Sequence, residues 1–185
     1  MRTLAAVLAL ATMAPPAAAE LYRRDPPRLA LGLGADVALA SADDAFEDLR
    51  PPLLFAFSGA LHVSPGLAFG VVVRAAIADS DADHIEVLGL AEASWVDEPR
   101  LPDPPALRLA TSFEVGWRHL DLTGSDFVVI DDSVMVALAG EIGVVVFEDV
   151  ALNLRLQVLA GSHSNEVFDA FAPELRAGLV LRSLL

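Results

Sequence analysis

Eight stretches of this chain alternate in polarity residue by residue, and each is about twice as long as a strand in a water-soluble protein. The fifth sets Leu107, Leu109, Thr111, Phe113, Val115 and Trp117 against Arg108, Ala110, Ser112, Glu114, Gly116 and Arg118. Side chains of an extended chain point to opposite faces in turn, so a period of two predicts a β-strand with two unlike faces. The same test predicts strands over Leu29–Ala40, Leu53–Val63, Leu67–Ala78, His84–Val96, Ala106–Arg118, Ser133–Val146, Val150–Ala160 and Glu174–Leu184. They run 11 to 14 residues, against about five or six for the average strand. A tilted strand crossing a bilayer needs about 9–11 residues plus an overhang.

One face of every predicted strand is apolar. The other collects Asp36, Arg74, Glu86, Glu92, Arg108, Glu114, Arg118, Glu141, Arg155, Glu174, Arg176 and Arg182, six acids and six arginines among many Gly and Ala. Where one strand carries several charges (86 with 92; 108 with 114 and 118; 174 with 176 and 182), all share a parity. Those agreements would arise by chance about one time in thirty under the alternation rule. In a soluble sandwich or small barrel the apolar face would be the core and the charged face would meet water. In a membrane barrel the apolar face meets lipid and the charges line the lumen. A narrow lumen explains both the small residues and the charge balance. Eight strands leave room only for side chains, and a buried charge must be paired because losing its partner costs about 3–5 kcal/mol. All twelve cations are arginines, whose forked donors suit such pairing better than lysine.

The rest of the composition narrows the field. The chain opens "MRTLAAVLALATMAPPAAAE", with Arg2 as a positive start, Leu4–Met13 as a short apolar run and Ala17-Ala18-Ala19 as a small-residue cleavage signal. That pattern predicts a secretory leader over residues 1–19, cut before Glu20. Residues 20–28 are then a periplasmic N-terminal segment, and 29–185 the β-barrel domain. There is no cysteine, hence no disulfide framework and no thiolate chemistry. A net charge of −14 excludes a nucleic-acid partner, which demands basic surface. Although 55% of residues are hydrophobic, no stretch after the leader offers 18 uncharged apolar residues, and the longest, Ser133–Phe147, contains Glu141. A membrane helix is not expected.

Loop lengths follow the same logic. "SPG" and "FED" are short links at the end carrying the termini, while "SADDAFEDLRPP", "DLTGSDFVVIDD" and "GSHSNEVFDAFAP" are long links at the other end; "DEPRLPDPPA" is the exception. Short periplasmic turns and long external loops are the asymmetry of outer-membrane barrels. With leader, strand number, alternation and loops in place, the chain resembles the small eight-stranded outer-membrane β-barrels of Gram-negative bacteria, of the OmpA transmembrane-domain type. The resemblance implies an all-β, antiparallel up-and-down transmembrane barrel in contact with outer-membrane lipid. The chain departs from that pattern in ending Leu184-Leu185 rather than on an aromatic residue. Its aromatic girdle is also thin: Trp95, Trp117, Phe55, Phe69 and Phe147.

Candidate chemistry is sparse. The loops at the far end hold Asp43, Asp44, Glu47, Asp48, Asp79, Asp81, Asp83, Asp121, Asp126, Asp131, Asp132, Glu166 and Asp169 against Arg50 alone. Such oxygens suit divalent cations, but "DSDADH" lacks the glycine and distal Glu of a calcium loop, and solvated loops are the expectation. "GSHSNEVF" places His163 among Ser162, Ser164 and Asn165, similar to the His-x-Ser-Asn stretch of outer-membrane lipid A deacylases but one residue short. Adjacent strand residues face opposite ways, so a hydrolase is not expected. His62, His84 and His119 are scattered, and neither a metal centre nor a cofactor is expected. The expectation is a non-enzymatic envelope protein with a structural or surface-interaction role, its lumen filled by paired charges. The alternative from another class is an exported soluble barrel that binds an apolar ligand among inward-facing Leu and Val.

Overall fold

The computed structural model describes residues 28–43, 53–64, 66–76, 82–97, 106–123, 128–147, 150–165, 168 and 172–184. The leader at 1–19 and nearly all of the 20–28 segment lie outside them. The described residues form eight strands: β1 (Leu29–Ser41), β2 (Leu53–Ser64), β3 (Leu67–Ala75), β4 (Ala82–Asp97), β5 (Leu107–Thr123), β6 (Val128–Phe147), β7 (Val150–Ser162) and β8 (Ala172–Leu184). They close in chain order into an all-antiparallel barrel, with β8 returning to pair with β1 from Ala30↔Leu184 to Ser41↔Glu174. Closure leaves no exposed sheet edge along the paired length.

The alternating pattern is what the barrel wall reads. Leu152, Leu154, Leu156 and Val158 on β7 are exposed, while Ala151, Asn153, Arg155, Gln157 and Leu159 are buried. The same division holds for Phe55, Phe57 and Leu61 outside β2, and for Leu54, Ala56, Ser58 and Ala60 inside it. The Leu/Val face points outward, which removes the interior apolar ligand site that a soluble binding barrel would require. Inside, Ala56, Val72, Leu88, Met135, Ala137 and Leu159 form one apolar cluster, and Ala30, Ala60, Ala68 and Leu90 another nearer the termini.

Every strand but β3 is longer than the sequence pattern predicts, β5 and β6 by the most, and β3 is shorter, ending at Ala75 rather than Ala78. The link "DLTGSDFVVIDD", expected as a long loop, is mostly hairpin: β5 continues to Thr123 and β6 begins at Val128, with pairs from His119↔Asp132 to Thr123↔Val128. The reason is a reversal of polarity. Along β5 beyond Trp117, the inward residues are apolar (Leu120, Leu122), and the outward ones are His119 and Asp121. Val129 and Phe168 complete a buried apolar cluster with those leucines. Strand propensity persists, and the outer face of this hairpin is mixed, with Val128 and Ile130 of β6 exposed beside His119, Asp121 and Asp132.

The β2–β3 turn at the termini end is tight. In the β2–β3 turn Gly66 takes φ +73°, a left-handed conformation favoured by glycine. Its carbonyl accepts from Ser94 N at 2.8 Å. Register shifts at Ala38/Ala40, His62/Ser64 and Val145/Phe147 fall near strand ends, where bulges let a closing sheet turn. Inside the wall, a Cβ at Gly70 would come within 2.6 Å of Ala60 Cα, whereas one at outward-facing Gly140 meets nothing within 4 Å. Gly70→Val is therefore expected to cost at least about 1–3 kcal/mol by overpacking, and Gly140→Val less than about 0.5 kcal/mol. Thermal unfolding followed by far-ultraviolet circular dichroism checks this; equal effects of the two would contradict the packing described.

Candidate functional site

The interior is a polar site built by parity. Asp36, Arg74, Glu86, Glu92, Arg108, Glu114, Arg118, Glu141, Arg155, Glu174, Arg176 and Arg182 are all buried, on seven of the eight strands. They meet in two groups. Nearer the loops, Arg74 gives Nε–H to Asp36 Oδ2 at 2.8 Å, Nη2 to Glu114 Oε2 at 2.8 Å and Nη1 to Glu86 Oε2 at 3.4 Å. Arg176 reaches Glu86 with two donors, at 2.7 and 2.9 Å, and Glu174 with Nε at 2.8 Å. Arg155 pairs with Glu114, which also accepts from Gln157 Nε2 at 2.9 Å. Arg118 Nη1 lies 3.7 Å from Glu174.

Nearer the termini, Arg108 and Arg182 share two acids. Arg108 donates to Glu92, and to Glu141 Oε2 at 2.9 Å. Arg182 donates to both oxygens of Glu141, at 2.7 and 3.0 Å, and lies 2.7 Å from Glu92. Two cations and two carboxylates close a ring across β4, β5, β6 and β8. Several pairs span the lumen: Arg176 on β8 and Glu86 on β4 sit half a circumference apart. Small residues make the room. A Cβ at Gly178 would collide with Asp36 Oδ1, and one at Gly143 with Asn153 Oδ1.

At the loop end the sequence reading needs correction. Asp131 and Asp43, expected on solvated outward loops, are buried. Asp131 Oδ2 accepts from His163 Nδ1 at 2.8 Å and from the Ser133 hydroxyl. Its Oδ1 accepts from Ser164 N at 2.7 Å, Asn165 N at 3.0 Å and Ser164 Oγ at 3.2 Å. Burial opposes ionisation of this carboxyl, which stands beyond the outward Asp132 in the projecting hairpin. The donors from His163, Ser133 and Asn165 outweigh it and hold the group well below the usual carboxylate range. A depressed carboxyl stabilises the fold above its ordinary titration range and loses that contribution only as the solution becomes strongly acid. The β7–β8 connection is thereby tied to the β5–β6 hairpin. Asn165 Nδ2 donates to Ile130 O at 3.0 Å, Ser164 Oγ accepts from Asp132 N at 2.9 Å, and the rings of His163 and Phe168 lie 5.0 Å apart.

This arrangement has the residue types of a hydrolytic triad but a different wiring. Nucleophilic catalysis needs a serine hydroxyl on the imidazole nitrogen that faces away from the acid. Here the hydroxyls of Ser133 and Ser164 both go to Asp131, Arg118 Nη2 sits 3.2 Å from His163 Nε2, and Ser162 is exposed. Of the other histidines, His84 Nε2 bonds Glu86 at 2.9 Å inside the barrel; His119 Nδ1 bonds Asp132 at 2.9 Å outside and stacks on Trp117 at 5.6 Å. Asp83 and Asp132 are exposed and Asp121 half-buried. Asp44, Glu47, Asp48, Arg50, Asp79, Asp81, Asp126, Glu166 and Asp169 lie outside the described residues.

No protein-family model matches the sequence, and no curated protein does. Among solved structures the chain is similar to Neisserial surface protein A (NspA), at 12% identity and a TM-score of 0.53, over 82% of this chain and 95% of that one. It is similar also to the N-terminal β-barrel domain of Pseudomonas aeruginosa OprF, at 12% identity and a TM-score of 0.58, over 85% and 97% of the two chains. What is shared is the fold, and it is the small closed barrel that the sequence resemblance implies.

Removing one member of a buried pair leaves its partner charged and dry. Arg176→Gln or Glu86→Gln alone is expected to cost about 3–5 kcal/mol, and the double substitution well under their sum. Chemical denaturation of the four proteins checks this; additive losses would show that the two groups do not interact.

Proposed function

We propose that this chain is an outer-membrane β-barrel protein whose lumen is filled by paired charges rather than open, with a structural or surface-interaction role and no enzymatic activity. The observation that carries the reading is the outer surface. On β6 the outward residues from Val134 to Val146 are apolar or glycine, and Leu33, Phe57, Val71, Val115, Leu154 and Leu179 continue that surface around the barrel, all exposed. Twelve residue steps at about 3.3 Å, tilted by about 45°, give a belt about 28 Å high, close to the apolar band of an outer-membrane barrel. A continuous apolar surface of that size on a water-exposed monomer would far exceed the few hundred Å² that soluble proteins tolerate.

The belt has an edge, and the polarity reversal on β5 marks it. Trp117 stacks on His119 there, and tryptophan favours the membrane–water interface. Above the edge, His119, Asp121 and Asp132 face out beside Ile130 and Val128, and the leucines turn in. The barrels of NspA and OprF support the reading through fold; the first is a surface protein by name. The exported chain would reach the outer membrane by the cleaved leader. The rim acids favour hydration of the loops, with divalent cations as their natural counterions.

The test is fractionation with a lipid-face variant. The protein is expected in detergent-extracted membrane material, with a folded form that migrates differently before and after heating. Leu154→Arg, at mid-height of the belt, is expected to cost about 2–4 kcal/mol and to reduce that form, while Leu154→Ile leaves it. Recovery as a water-soluble periplasmic monomer, indifferent to Leu154→Arg, would contradict the reading.

A further inference from the structure

The hairpin of β5 and β6 carries the wall past the apolar belt. The steps from Val128 to Val146, at about 3.3 Å each and a tilt of about 45°, span about 42 Å of height, against an apolar band of about 25 Å. Val128 and Ile130, exposed at 65% and 50%, therefore stand outside the lipid. The inner face of the same wall is covered. Leu120, Leu122 and Val129 pack with Phe168, and Asp131 is held by His163, Ser164 and Asn165. The outer face stays open, with Asp83 and Asp132 exposed and Asp121 half-buried around the two aliphatic side chains. Asp83 stands directly opposite Asp121, and Asp121 opposite Ile130. Cations are placed elsewhere among the described residues: Arg74, Arg108, Arg118, Arg155, Arg176 and Arg182 are buried in the lumen, and Arg28 precedes β1 at the termini end.

We propose that the outer face of this hairpin wall, centred on Val128 and Ile130, is a docking surface for an extended segment of another protein that presents arginine or lysine side chains around an aliphatic one. This deepens the surface-interaction reading above and rests on it. Charge complementarity selects the occupant. A second copy of the chain would bring the same carboxylates to the contact, and an anionic lipid headgroup would meet them as like charge. A metal ion alone would answer the acids and leave Val128 and Ile130 in water. A basic segment with an aliphatic side chain answers both. Its apolar group covers the two β-branched side chains, and its cations reach Asp83, Asp121 and Asp132 around them. An apolar centre with a polar rim is the usual anatomy of a protein interface. Side chains on a strand face recur every second residue, a spacing that an extended segment matches. The Asp131 contacts and Phe168 hold the hairpin from behind, which lowers the ordering cost of binding.

The test uses the full chain refolded in a zwitterionic detergent and a dye-labelled peptide, Arg-Ser-Ile-Ser-Arg-Ser-Ile-Ser-Arg, one face of which alternates arginine and isoleucine when extended. Fluorescence anisotropy is expected to show saturable binding at low salt. Asp83→Asn with Asp121→Asn is expected to weaken it about fivefold, and either Ile130→Ser or Val128→Ser about tenfold. Glu47→Gln with Asp48→Asn, the same change of charge in the β1–β2 connection, leaves it unchanged. No binding would overturn the proposal, and so would equal binding of peptides with serine for isoleucine or glutamate for arginine. An equal loss in the Glu47→Gln, Asp48→Asn variant, or dimers of the chain that Ile130→Ser dissolves, would overturn it too. The heat-shifted folded form is checked in every sample. Binding that fails with that form intact removes the surface alone, whereas absence of the form in the unsubstituted chain removes the membrane-barrel reading and the surface with it.

Discussion

The fold depends on carboxylate–arginine contacts made among side chains buried inside the barrel. Arg176 holds Glu86 through two hydrogen bonds from the opposite wall of the barrel, and Arg74 gathers Asp36, Glu86 and Glu114 from three strands. Each charge alone would make the interior prohibitively costly. Together they fix which strand faces which, because a shift in register would move the partners to the wrong height or the wrong face. The apolar exterior carries no such information: its outward leucines and valines are interchangeable wherever they sit. Uniqueness of the closed structure therefore resides in the polar interior, the reverse of a soluble barrel.

Parity was legible in the sequence because it is local. A run such as Val71-Val72-Val73-Arg74 declares that Arg74 shares a face with Val72 and Gly70 without knowledge of any other strand. The partners were not legible. Arg176 and Glu86 are ninety residues apart, and their meeting depends on closure and stagger, which alternation leaves open. The end of the fifth strand was hidden for another physical reason. Past Trp117 the pattern reverses, with Leu120 and Leu122 inward and Asp121 outward, and a reading that equates charge with the interior takes the segment for a loop. Asp131 was misplaced by the same logic. It resembles every other acid in an acidic stretch, and only the folding-back of His163–Asn165 surrounds it with donors.

That folding-back also sets the contacts of the histidine. A serine, a histidine and an aspartate within contact distance suggest hydrolysis on inspection of residue types alone. The hydrogen bonds are wired around the acid instead: the aspartate is the hub, receiving the imidazole, two hydroxyls and two backbone amides. Such a hub positions a loop. With Phe168 seated on Leu120, Leu122 and Val129, it joins the β7–β8 connection to the projecting hairpin and gives the loop end of the barrel a defined surface.

The account rests on the apolar belt facing lipid, and depth-dependent fluorescence quenching tests that most directly. The chain has two tryptophans, so Trp95→Phe leaves Trp117 as the only reporter at the belt's polar edge. Reconstituted into bilayers of brominated phospholipid, Trp117 should be strongly quenched, most by bromines placed near the headgroup end of the acyl chain. Fluorescence unchanged by bromine at any depth would place that face in water and contradict the account.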